Sequence, residues 1–316
     1  MFAGWFLSGL ILQAQPYGTW ERPFGGDSIW NAPIGPGAVY VDAELDEAFH
    51  HHFNSTENAT DRTMSEAVVL YREEKRFPET QIFESSWTNR IVPEKRIDHT
   101  IHFPADFLYN STPRTGNVEA NGAWAFLWAD GTLRAATLFG RGKVGSHLQL
   151  PPWAFQRSSQ LNGDGLSDAS DHGASGMSGL GGLLRLGELA SDEPIRHPLK
   201  ITWPAWVYAY YGEDRKGFRW PARRADGYAV QPDRYLGQKK ELVMGSLLPL
   251  KPDVDIASLP LTAIGKRLAT AMQHYGLYLV EDCGPGLNEN WERWQLMIEL
   301  DVTTRKSVHE EARALG

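Results

Sequence analysis

Apolar positions fall in short runs that Gly and Pro interrupt throughout the chain, a rhythm typical of strands rather than long helices. The clearest unit is WAFLWADGTLRAATLF, Trp124 to Phe139. Two apolar strands there flank Asp130-Gly131, a dipeptide suited to a tight primed turn. HTIHF (His99 to Phe103) alternates like a strand with one polar face. Ile195 to Trp203 is another strand, with Pro198 arguing for an edge or a bulge, and Gly276 to Cys283 reads as a short buried strand. One substantial helix is predicted over LTAIGKRLATAMQHYG, with Gly276 placed as its C-cap. VDAELDEAFHHHF (Val41 to Phe53) suggests a shorter amphipathic helix, and VHEEARALG a charged, peripheral end. The fold expected is all-β dominated: a β-sandwich or jelly-roll-like body, with one helix in the C-terminal half. No repeat or linker divides it, so residues 16–316 are expected to form a single domain.

Composition narrows this picture. The 316 residues can bury a full core, and 42% hydrophobic with 22% charged residues are ordinary globular values. A net charge of -8 argues against a nucleic-acid partner, which needs a basic face. The single cysteine, Cys283, rules out an intramolecular disulfide and any Cys-based zinc cluster. The apolar stretch Phe2 to Leu12, followed by small and polar residues, resembles a secretory signal over residues 1–15, though it lacks a positive start. No segment is long and apolar enough to span a bilayer. A secreted or periplasmic monomer is therefore expected. Twelve tryptophans, several beside Gly, Pro or Asn, serve either as sugar-stacking platforms or as core and corner residues.

Three stretches carry candidate chemistry. In NGDGLSD, Asn162, Asp164 and Asp168 stand at the alternating offsets of a calcium loop. Gln160 occupies the first ligand position and no closing Glu follows, so an Asx-turn loop remains the alternative, and calcium enters only as a structural option. In SDHGASGMSG, His172 follows Asp171 and precedes a glycine-rich turn, a setting for a general base or proton donor. Ser175 and Ser178 do not fit the Gly-x-Ser-x-Gly nucleophile elbow. In FRWPARRADGY, Arg219, Arg223 and Arg224 surround Trp220 and lead to Tyr228; guanidinium forks beside an indole suit an acidic sugar, or simply a solvated loop. Trp30 and Asn31 in GDSIWNAPIG are a second sugar-facing loop or a structural corner. Among the other histidines, His99 and His102 face opposite sides of one strand, His147 follows a glycine turn, His50 to His52 suggest an exposed helix face, and His197 reads as a buried imidazole.

The blocks DSIWNAPI, DHGASGMSGLGGLLRLGEL with IRHPLK, and RWPARRADGY, taken together and in this order, resemble a group of exported bacterial proteins, many of them actinobacterial. The resemblance covers Pro23 to about Asp282. It implies that the blocks belong to one fold and supports an extracellular setting; it assigns no catalytic residue and no substrate.

These features lead to an expected carbohydrate-active enzyme, first a lyase on an acidic, uronate-containing polysaccharide. Arg223 or Arg219 would neutralise the carboxylate, His172 or His147 would take the proton, and Tyr228 would protonate the leaving oxygen. Asp171, next to His172, is a further catalytic candidate, while Arg224, Trp220, Trp30 and Asn31 would hold substrate. No cofactor is required. The alternatives are a glycoside hydrolase using two of Asp164, Asp168, Asp171 and Glu188, a non-catalytic glycan-binding surface protein, and a metal enzyme assembled from His99, His147 and His172.

Overall fold

A computed structural model of the protein describes residues 16–45, 66–86, 92–109, 122–141, 147–166, 170–283 and 295–315. The candidate signal segment, His50 to His52 and Asp168 lie outside the described residues, and residues 41–45 carry no helix. Eleven strands are present among the described residues: β1 (Glu66–Arg72), β2 (Glu79–Glu84), β3 (Val92–His102), β4 (Gly122–Leu127), β5 (Leu133–Phe139), β6 (Leu148–Leu150), β7 (Ser170–Asp171), β8 (Leu199–Trp203), β9 (Leu247–Leu248), β10 (Leu277–Asp282) and β11 (Gln295–Asp301). Eight form one sheet in the order β7-β5-β4-β1-β11-β8-β10-β9, and β3-β2-β6 form a second.

The strand-rich body is as expected. The large sheet is mixed, however: β1 runs parallel to β4 and β11, β10 parallel to β8 and β5 parallel to β7, whereas a jelly roll is built from antiparallel pairs. The β4–β5 hairpin forms where predicted, with a different turn. Trp128 accepts from Gly131 N–H and donates to Thr132, leaving three loop residues with Gly131 left-handed at φ 84°. That is the geometry of a turn closed by a glycine bulge rather than a two-residue primed turn. Pro198 precedes β8, which sits inside the sheet between β11 and β10, so the proline ends a loop instead of marking an edge. The late helix spans Ala263–His274, capped by Thr262, whose side chain accepts from Gly265 N–H, and closed by left-handed Gly276. The C-terminal segment is a helix, Val308–Leu315, anchored by buried Val308 and Ala312. No helix among the described residues is long and apolar enough to cross a membrane.

Side-chain size divides the two faces of β1, β4 and β5. Trp124 and Phe126 point, with Val69 and Tyr71, into an aromatic cluster shared with Ile82, Ile101 and Leu148 of the second sheet. The opposite face of β4 and β5 presents small groups, Ala123, Ala125 and Ala135, to the main core. Small side chains there leave room for a backbone, and the backbone of the 172–182 loop fills it. A Cβ added at Gly179 would meet the Ala135 Cβ at 2.6 Å and the Trp124 carbonyl oxygen at 3.3 Å.

Tryptophan follows the same logic. Trp30, Trp124 and Trp203 are fully buried, and Trp220 alone among the described tryptophans is strongly exposed. Trp30 lies under Gly181 and Gly182, donates its indole N–H to the Gly165 carbonyl at 3.0 Å, and meets Tyr278 edge-on. Asn31 donates to the carbonyls of Pro23 and Gly25, so this pair is a structural corner rather than a sugar-facing loop.

Because the glycine loop is packed at van der Waals limits, Gly179→Ala should destabilise the protein by about 1–3 kcal/mol. Gly35→Ala, where nothing lies within 4 Å of the added carbon, should leave it unchanged. Equilibrium urea denaturation of both variants measures the difference.

Candidate active site

The site is assembled from three segments: the glycine turn after β7, the 219–228 loop, and the C-terminal end of β10. In the turn, Gly173 and Gly176 take left-handed φ values of 67° and 64°, and the His172 N–H donates to Met177 at 3.3 Å. The serines cap this turn. Ser175 Oγ accepts from Met177 N–H, and Ser178 Oγ accepts from the N–H groups of Leu180 and Gly181. Both hydroxyls are buried and committed to backbone, which is why neither is available as a nucleophile.

A buried turn must satisfy its carbonyls. Lys200, fully buried on β8, donates to Ser178 and Gly179 carbonyls at 2.8 and 2.9 Å. The guanidinium of Arg223 grips the Gly176 carbonyl through Nε and Nη2, and Arg224 Nη2 donates to Gly173 at 2.8 Å. The Arg223 N–H adds a bond to the Ser175 carbonyl, while Ser175 N–H reaches Val280 of β10. The glycine turn and the arginine loop therefore do share one region, stitched together by main-chain carbonyls. Arg223 and Arg224 spend donors on those carbonyls rather than holding them all for a ligand.

Beyond the arginines, the loop delivers Asp226 and Tyr228 to the end of β10. The Tyr228 hydroxyl donates to Asp282 Oδ2 at 2.5 Å, and the Ala205 N–H donates to Asp282 Oδ1 at 3.0 Å. Tyr235 donates to Asp226 Oδ2 at 2.9 Å. Glu281 accepts from the N–H groups of Ala174 and Asp282, tying the glycine turn to the strand end. The result is two carboxyls and two phenols at the C-terminal end of the parallel β8–β10 pair, the usual side for ligands in sheets with parallel strands.

Electrostatics separate these groups. Burial, followed by the charge of Asp282, pushes the Asp226 carboxyl from its ordinary 3.8 up to about 7, although Tyr235, Tyr228 and Arg224 pull the other way. Burial and the two aspartates also drive the Tyr228 phenol well up, so it stays protonated at any physiological pH. Burial, then Lys200 and Arg224, holds His172 well below the usual imidazole range. His172 is 1% exposed and its Nδ1 has no partner, so it is a neutral core imidazole with no route to a glycan. Burial lowers Lys200 as well.

The other predicted residues are dispersed. His147 packs on Phe83 in the second sheet, His99 stacks on Phe155 and His172 is buried in the glycine turn, so His99, His147 and His172 do not form a metal-holding group; His102 pairs with Glu73 at 2.7 Å. Among the described residues no group of three or more His, Cys, Asp or Glu is placed to hold a metal. Asp164 accepts from Leu166 N–H at 2.8 Å in an Asx turn, and its carbonyl receives Ser28 Oγ. Asp171 lies in β7 opposite Ala136. Arg219 and Trp220 line a separate groove of about 510 Å³.

A further cavity, of about 500 Å³, borders Glu188, His197 and Trp30. There His197 is held between the Pro198 carbonyl and Glu188 Oε1 at 2.8 and 2.9 Å. Burial would lower His197, yet Glu188 outweighs it and the imidazole is raised; burial would raise Glu188, yet His197 brings it below the ordinary value. Both ring nitrogens are occupied, which makes this pair a lock rather than an acid–base couple.

Sequence reading did not single out Asp226, Asp282, Tyr235 or Lys200. The available signals were a pair of acids closing the apolar run of β10 (LVED) and one lysine set inside an otherwise apolar strand (LKITW). No family model matches the chain, and no curated protein or solved structure matches it significantly.

A carboxyl raised from 3.8 to about 7 favours the folded state most below pH 4, and that advantage is lost as pH rises through 7. Asp226→Asn should therefore be more stable than wild type at pH 8, with the gap closing as pH falls from 7 to 4. Melting temperatures across that range measure it.

Proposed function

We propose that the protein is an extracytoplasmic glycan-cleaving enzyme in which Asp226 and Asp282 act as an acid–base pair, and that it hydrolyses rather than eliminates. The supporting observation is the pair itself: one carboxyl raised to about 7 beside one held by hydrogen bonds at both oxygens. Asp226 is protonated near neutrality and can give its proton to a leaving glycosidic oxygen. Asp282, which receives N–H and O–H donors, is the partner group that would activate water or face the cationic sugar ring of the transition state. Tyr228 and Tyr235 hold the two side chains apart in role and fixed in place. No cofactor is needed for these steps.

The lyase assignment draws less support. Of its two candidate bases, His172 is sealed in the core and His147 packs on Phe83 in the second sheet; of its two neutralisers, Arg223 is engaged with Gly176 and Arg219 lines the separate groove. The setting outside the cytoplasm rests on the apolar N-terminal stretch and on the resemblance to exported proteins. The packing of β2, β3 and β6 against β1, β4 and β5 is consistent with a sandwich-like body.

Incubating the protein with a panel of neutral and acidic polysaccharides should release reducing ends without the ultraviolet absorbance of an unsaturated uronate. Asp226→Asn and Asp282→Asn should each lower the rate by about 100-fold or more, and the wild-type rate should fall above pH 7 as the acid ionises. Unsaturated product, or full activity in both variants, would remove the acid–base pair as the catalytic centre.

A further inference from the structure

We infer that the groove beside Trp220 is a binding subsite for a carboxylated sugar ring, so that the substrate is an acidic, uronate-type glycan; this rests on the glycan-cleaving role proposed above. Trp220 is 69% exposed, whereas the other described tryptophans are buried or half-buried. An exposed indole set in the wall of a groove offers a flat apolar face on which a sugar ring can stack.

The ring is presented on rigid backbone. Arg219 N–H donates to the Met244 carbonyl at 2.9 Å, and Pro221 and Ala222 behind the ring are buried. A Cβ added at Gly245 would meet the Ala222 Cβ at 2.7 Å, so the support is packed to contact. Trp220 therefore loses little freedom when a ligand stacks on it.

The charge pattern selects the ligand. Arg219, Trp220, Tyr40, Lys239 and Lys251 line the groove of about 510 Å³, with Asp42 and Glu241 in the same wall. Lys239 pairs with Glu44 at 2.5 Å and Lys251 with Asp42 at 3.6 Å, whereas the Arg219 guanidinium makes no hydrogen bond or ion pair with another described residue. An unpaired, exposed guanidinium next to an unpaired indole matches a pyranose carrying a carboxylate: the C–H face stacks on the indole and the carboxylate takes the planar fork. An uncharged sugar uses only the ring. The same loop carries Asp226, and six residues of chain limit the Trp220–Asp226 separation to about 21 Å. A single oligosaccharide can bridge that span.

The test is calorimetric binding of oligogalacturonate, oligoguluronate and oligoglucuronate, with uncharged oligosaccharides as controls, to wild type, Trp220→Ala, Arg219→Gln and Asp226→Asn. At least one acidic oligosaccharide should bind wild type. Trp220→Ala and Arg219→Gln should weaken it by about tenfold with unchanged melting temperature, and Asp226→Asn should bind it normally. Absence of acidic-oligosaccharide binding, or equal binding to the Trp220 and Arg219 variants, overturns the subsite. So does self-association of wild type in sedimentation that Trp220→Ala abolishes, which would make the surface a contact between copies. Cleavage of neutral glycans that depends on Asp226 but not on Trp220 or Arg219 overturns the subsite and leaves the acid pair standing. Normal binding with undiminished cleavage in Asp226→Asn does the reverse.

Discussion

The architecture depends on a length of buried backbone. Residues 172–182 bring glycine to the small-residue face of β4 and β5, where a side chain larger than hydrogen has no room. Burying main chain leaves its carbonyls to be satisfied inside the protein, and this demand organises the surroundings. Lys200 answers it from β8, Arg223 and Arg224 from the following loop. Glycine density beside reactive residues thus has a packing cause: the turn is the filler of the core, and the charged residues around it are its hydrogen-bond donors.

From that constraint the acid pair follows. After Arg223 and Arg224, which are fixed on the turn, the chain runs to the end of β10, where Tyr228 meets Asp282 and Asp226 lies close enough to feel its charge. Two carboxyls enclosed with two phenols resist sharing full charge, so one retains its proton near neutrality. The cost is borne by the same network that positions them.

Much of the fold was legible from periodicity and capping. The β4–β5 hairpin, β10 and the Ala263–His274 helix all lie where apolar spacing and glycine signals put them. Parallel pairing was not legible, since β1, β4 and β11 meet across long intervals that no local pattern encodes. The site was half legible. The glycine turn and the arginine loop are visible as motifs, and they do meet; what each side chain touches is not visible, because burial and partners come from distant segments. His172 looked like a base in an open turn, yet it is walled in. Of the two readings open for Trp30 and Asn31, a structural corner or a sugar-facing loop, their hydrogen bonds match the corner. Asp226 lay inside a quoted motif, but a carboxylate acquires a raised pKa only from a neighbour, and that neighbour, Asp282, is 56 residues further along the chain.

Carbon-detected NMR titration of the aspartate side-chain carboxyls, with Asp226 assigned by comparison with Asp226→Asn, addresses the central claim without any substrate. The account predicts one carboxyl resonance that titrates near pH 7 and disappears in the variant. A resonance for Asp226 that titrates near 4, as in an ordinary solvated aspartate, would contradict it.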